Sequence, residues 1–129
     1  MKAPVLLATC LATMLALAVG TTAQPPKTPA QQVQEAQQRN AESLKQFPNL
    51  QPMQGAVKTE CEAKASDDKA RAAVCSCGAV VTVQLWMDDK FMREKLDAYI
   101  SRPTPAGIKD ALNYHSPDLY TPLCTAAAK

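Results

Sequence analysis

Four of the five cysteines in this 129-residue chain, Cys61, Cys75, Cys77 and Cys124, stand in its polar, charged part; the fifth, Cys10, sits inside an apolar opening run. A cross-link dictates which segments must lie within a few ångströms of each other. Whether the cysteines pair therefore decides more about the fold than any other feature.

The count turns on the N-terminus. Lys2 is the only charge before a nearly unbroken apolar stretch from Ala3 to Val19, and small residues and prolines follow from Gly20 to Pro26. This is the three-part layout of a secretion signal. Ala18-Val19-Gly20 and Thr21-Thr22-Ala23 both offer the small side chains a signal peptidase needs, and the expected cut follows Ala23. The alternative is an uncleaved membrane anchor, although about 17 apolar residues is at the short limit for a span. Removing residues 1–23 removes Cys10 and leaves four cysteines. It also implies an oxidising destination, periplasmic or secreted, where structural disulfides persist.

Two disulfides are expected, because a small domain with only six aromatics in the whole chain buries little apolar surface without help. Three pairings are open. A helical hairpin turning near Asp68 puts Cys61 and Cys75 at equal distances from the bend, so they can face each other. Cys77 is rotated about 200° from Cys75 on a helix, which leaves it to hold Cys124 and the C-terminal tail. Cys61 with Cys77 and Cys75 with Cys124 is the competing arrangement.

Charge excludes some partners. Without Lys2, 13 basic residues face 12 acidic ones, interleaved as in Lys58, Glu60, Glu62 and Lys64. That pattern belongs to solvated helix faces and gives no footprint for nucleic acid or, after signal cleavage, for a membrane. The roughly 106 remaining residues suit one domain.

The expected fold class is all-α, a small helical bundle with about four helices in its compact part, stapled by two disulfides and preceded by a Gln-rich arm. Residues 24–52 form this Pro/Gln-rich arm. Within it Thr28 can cap a loosely docked helix carrying Val33, Ala36, Asn40, Leu44 and Phe47 on one thin stripe, with Pro48 and Pro52 as linker. Residues 53–129 form the disulfide-stabilised domain. A first helix holds Val57 and Cys61, and Ser66-Asp67-Asp68 breaks it and caps the next. Ala70, Val74, Cys77, Val81 and Leu85 then share a face. Ala79–Trp86 is rich in β-branched residues but has no partner strand, so helix is preferred. Asp88 or Asp89 caps a helix with the stripe Met92, Leu96, Tyr99 and Ile100. Thr104-Pro105 starts another with Ile108, Ala111 and Leu112, and Ser116-Pro117-Asp118 starts a short last turn.

Candidate chemistry is sparse. Cys75-Ser76-Cys77 could, with Met87, Met92 and His115, make a soft-metal or thiol-redox site, though the spacing is not the usual redox gap. The plain alternative assigns these cysteines to disulfides and both methionines to the core. His115 is the only histidine, and His115-Ser116-Pro117-Asp118 reads as capping grammar more readily than as a relay. Four unclustered glycines make no phosphate loop. Trp86, near a helix junction, is a core residue or a partner contact. No catalytic residue and no cofactor are expected. Plant lipid-transfer proteins share the Cys-x-Cys but have more cysteines and an adjacent Cys-Cys pair, so nothing is carried over from them.

These features suggest an exported, non-enzymatic helical protein that binds a partner protein, as an inhibitor, an immunity-type protein or an envelope accessory factor does. The alternatives are the metal or redox carrier just described and an apolar-ligand carrier with a cavity among Val81, Leu85, Met92, Leu96 and Ile108.

Overall fold

In the computed structural model, residues 25–65 and 69–129 are described, and every regular element among them is helical. The signal expected over residues 1–23, with Cys10 and the cut after Ala23, lies outside the described residues. So does the Ser66-Asp67-Asp68 cap.

Helix α1 spans Pro29–Gln46. Its start is built as its sequence predicts: the Thr28 hydroxyl accepts from the Gln31 backbone N–H at 3.2 Å, and the Gln31 side chain accepts from the Thr28 N–H at 2.9 Å. Pro29 takes the first helical position, where its missing N–H costs nothing. Phe47 ends the helix, its N–H bonded to the Ser43 carbonyl, and the following Pro48 disfavours helical backbone at Phe47.

Helix α2, Leu50–Lys64, begins inside the segment expected to be linker. Pro52 stands in its first turn, where a backbone N–H has no intrahelical partner to lose, so this proline is compatible with helix. Leu50 is fully buried, which draws the expected boundary at residue 52 back into the core.

Helix α3, Lys69–Asp88, is the hub, packing against α1, α2, the following helix and the last one. The β-branched run inside it is helical, as expected. Its burial is not confined to the expected face: Ala79, Val81, Thr82, Val83, Gln84 and Trp86 are all buried, whereas Leu85 is 41% exposed. A helix enclosed by several neighbours loses the one-sided pattern by which a surface helix is read.

Helix α4, Lys90–Ser101, starts at Asp89, whose Oδ1 accepts from the Met92 N–H at 2.9 Å. Met92, Leu96 and Tyr99 are buried as the stripe requires, and Ile100 packs beside them. Helix α5, Pro105–Leu112, has Thr104 as its cap, accepting from Gly107 N–H at 3.0 Å. A 3-10 turn covers Pro117–Leu119, but Ser116 makes no side-chain capping bond there. Beyond the short last turn expected from Ser116-Pro117-Asp118, the chain forms helix α6, Thr121–Ala127. Pro122 falls in its first turn, again a tolerated place.

Two clusters fill the interior. The larger joins α2 to α5 through Leu50, Met53, Val57, Val83, Trp86 and Leu96, among others. The smaller, around Val81, Tyr120 and Cys124, lies between α3 and α6 with Ala36, Val74 and Leu123 packed against it.

Candidate functional site

The cysteines are paired in the favoured arrangement. Cys61 joins Cys75 with Cα atoms 5.5 Å apart, and Cys77 joins Cys124 at 5.9 Å. The first bridge closes the α2–α3 hairpin, and the second fastens α6 to the hub. Because residues two apart on a helix point to nearly opposite sides, one short motif links α3 to two neighbours at once. The pairing marks a chain that matures in an oxidising, extracytoplasmic environment.

Bonded this way, Cys75 and Cys77 offer no thiolate, and the structure does not assemble the soft-ligand set. Met92 is buried in the larger core, Met87 packs at its edge, and His115 faces other partners. The five positions weighed for an apolar cavity are likewise dispersed. Val81 belongs to the smaller cluster, Leu85 is exposed, and Met92, Leu96 and Ile108 pack in the larger one. Trp86, weighed as a partner contact, is only 3% exposed and sits in the core, where its ring has no surface to offer. Asp88 and Asp89 act separately, Asp88 pairing with Arg39 at 2.6 Å and Asp89 capping α4.

His115 is drawn into a buried polar cluster instead. Its side chain has no exposed surface, and its Nε2 lies 2.9 Å from the Tyr120 hydroxyl. Its Nδ1 stands 3.2 Å from Glu60 Oε2 of α2, a contact that is an ion pair only when the ring is protonated, and neither atom completes a hydrogen bond. Burial lowers the His115 pKa from its ordinary value against the opposing pull of Glu60, and Lys64 adds to the lowering. Burial, with help from Glu60, raises the Tyr120 pKa. The imidazole thus stands between a hydroxyl and a carboxylate from two other segments of the chain. What it does is tie α2 to the start of α6.

Gly78 completes that corner. The Tyr120 ring lies so close to the α3 backbone that a Cβ at position 78 would fall 2.8 Å from ring Cζ and nearer still to two other ring carbons. Mid-helix glycine normally weakens a helix by about 1 kcal/mol relative to alanine. Here its missing side chain is the space the tyrosine occupies.

A second cluster lies on the surface. Phe91 of α4 and Tyr114, just past α5, are 53% and 44% exposed, with ring centroids 5.3 Å apart in edge-to-face contact. Lys95 Nζ lies 5.2 Å from both centroids and 2.8 Å from Asp110 Oδ2. The Asp110 bond raises the Lys95 pKa, so the amine stays charged across the physiological range. The result is a braced aromatic surface with a polar rim. Phe91 could have been found as an aromatic lying off the Met92, Leu96 and Tyr99 stripe. Tyr114 carried no such signal, because only the turn after α5 brings it back to α4. Comparison with protein-family models, curated proteins and solved structures finds no match to this chain.

Proposed function

We propose that this is an exported, non-enzymatic protein that binds a partner protein through the Phe91–Tyr114 face. The reading is supported by one observation above all: two large aromatics are held against each other in solvent by Lys95 and Asp110, with no intramolecular core to serve. Aromatic side chains fixed before binding lose little conformational entropy on contact, and such residues dominate interface energetics. The disulfide scaffold keeps the surface in one shape. In this reading the opening segment is a signal peptide cut after Ala23, and the mature chain works in the periplasm or the medium. An inhibitor, an immunity-type protein or an envelope accessory factor would all use such a face.

The test compares the wild-type mature chain with the Phe91→Ala/Tyr114→Ala variant as bait in the native envelope fraction or culture fluid. A protein held by the wild type and lost at least tenfold from the variant is the expected result. Equal retention by both, or none by either, would overturn the assignment. Each side chain is about half exposed, so the double substitution should forfeit their mutual contact, about 0.5–1.5 kcal/mol, and leave the core intact, which circular dichroism of the variant verifies. N-terminal sequencing of the exported protein should begin at Gln24.

A further inference from the structure

Helix α1 stands apart from the other helices in how it is attached. The Cys61–Cys75 bridge holds α2 to α3, and the Cys77–Cys124 bridge holds α6 to α3 and encloses α4 and α5 in its loop. Like α4 and α5 it carries no cysteine, but among the described helices it is the one without a cysteine that also lies outside both closed loops. It also packs on α3 and α6 with partly buried apolar residues only, Ala36 against the smaller cluster and Leu44 against the larger. The one buried residue of its 18 is polar Asn40, whose Oδ1 accepts from Gln84 Nε2 of α3 at 3.3 Å. Beside it, Arg39 donates to Asp88 of α3 at 2.6 Å.

The connection to α2 is built to swing. The last hydrogen bond of α1 ends at the Phe47 N–H, and the first bond leading into α2 starts at the Phe47 carbonyl, accepting from the Leu50 N–H at 3.0 Å. The two soft dihedrals of Phe47 lie between them, so rotation there moves α1 without breaking either bond. Pro48 holds the segment out of a continuous helix that would lock α1 to α2.

What could occupy the seat once α1 leaves is specified by the seat itself. A purely apolar helix would bury Gln84 without a partner, which is costly. A helix with an acid in place of Arg39 would meet Asp88. The sequence on hand that satisfies both is α1, with Asn40 and Arg39 on one side of one turn.

We propose that α1 exchanges between two copies of this chain, the α1 of each docking on the α3 of the other to form a swapped dimer. Closed monomer and swapped dimer make the same α1 contacts, so concentration and the path at Phe47 set the balance between them.

Charge reversal tests this on the full mature chain. Arg39→Asp and Asp88→Arg each place like charges across the seat, in monomer and homodimer alike. In an equimolar mixture, only a swapped heterodimer restores opposite charges at both seats. Light scattering should give the mixture a dimer association constant about tenfold above that of either variant alone, as two restored exposed pairs allow. Amide exchange should show the α1 amides more protected in the mixture than in either variant. A mixture with no more dimer than its components would overturn the proposal. So would a dimer in which α1 protection is unchanged, since that dimer would use another surface. The Arg39–Asp88 pair is half exposed, so reversal leaves the core intact, and circular dichroism of each variant verifies it.

Discussion

At the α4–α5 end, Leu50, Met53, Val57, Val83, Trp86 and Leu96 close around one another, none more than 3% exposed. At the α6 end the buried set shrinks to Val81, Tyr120 and Cys124, and both disulfides and the Glu60–His115–Tyr120 cluster gather near it. A fully buried Leu or Val contributes about 1.5–3 kcal/mol. The first end accumulates several such side chains; the second cannot. Where apolar side chains run short, covalent bonds and one polar cluster around the buried His115 hold the helices. A chain with few aromatics can thus build half of its interior by burial and half by cross-linking.

Removing each kind of support should separate the two ends. Cys77→Ser/Cys124→Ser opens a 47-residue loop and should cost about 4 kcal/mol, while opening the 14-residue loop with Cys61→Ser/Cys75→Ser should cost about 3 kcal/mol. Urea unfolding of both variants reads the difference, and equal losses would argue against loop entropy as the source. Leu96→Ala, at the apolar end, should cost 2 to 5 kcal/mol, by about the same amount with the long disulfide open or closed.

Gly78→Ala sharpens the comparison at the crowded corner. On helix propensity alone the substitution should stabilise by about 1 kcal/mol, but the new methyl meets the Tyr120 ring and should instead destabilise by about 1–3 kcal/mol. The variant Gly78→Ala/Tyr120→Ala would show the reverse sign for the same methyl.

A smaller effect is expected from pH. His115 in the folded state binds its proton less readily than it would in the unfolded chain, because burial lowers its pKa. Its contribution is therefore complete above the ordinary histidine value near 6.5 and is lost as pH falls below it toward the folded value. Thermal midpoints between pH 7.5 and pH 5 should drop for the wild type and change less for His115→Gln. A midpoint that rises on acidification would mean that pairing with Glu60 outweighs burial.

Much of the helical layout was legible before the structure. Thr28-Pro29, Asp89 and Thr104-Pro105 carry local capping chemistry, and the Met92 stripe carries a period, so neither needs tertiary information. The favoured disulfide pairing was legible as well, because Cys61 and Cys75 stand equally far from the expected bend; the opposite directions of Cys75 and Cys77 alone fitted the competing arrangement too. What escaped was set by contacts distant in sequence. Pro52 reads as linker, although a proline in a first turn is compatible with helix and only the burial of Leu50 reveals which applies. The hub role of α3 was hidden because enclosure on several sides erases its period. The Glu60–His115 contact spans two helices with no pattern connecting them, and Phe91 with Tyr114 meets only through the turn after α5.

The most direct test of the two-ended account is residue-resolved amide exchange on the oxidised protein and on the Cys77→Ser/Cys124→Ser variant, under conditions where both remain folded. The account expects protection in α6 and around Val81 to collapse in the variant, while amides at Val83, Trp86 and Leu96 keep most of theirs. A loss spread evenly over both ends, or an α6 that stays protected without its bridge, would contradict it.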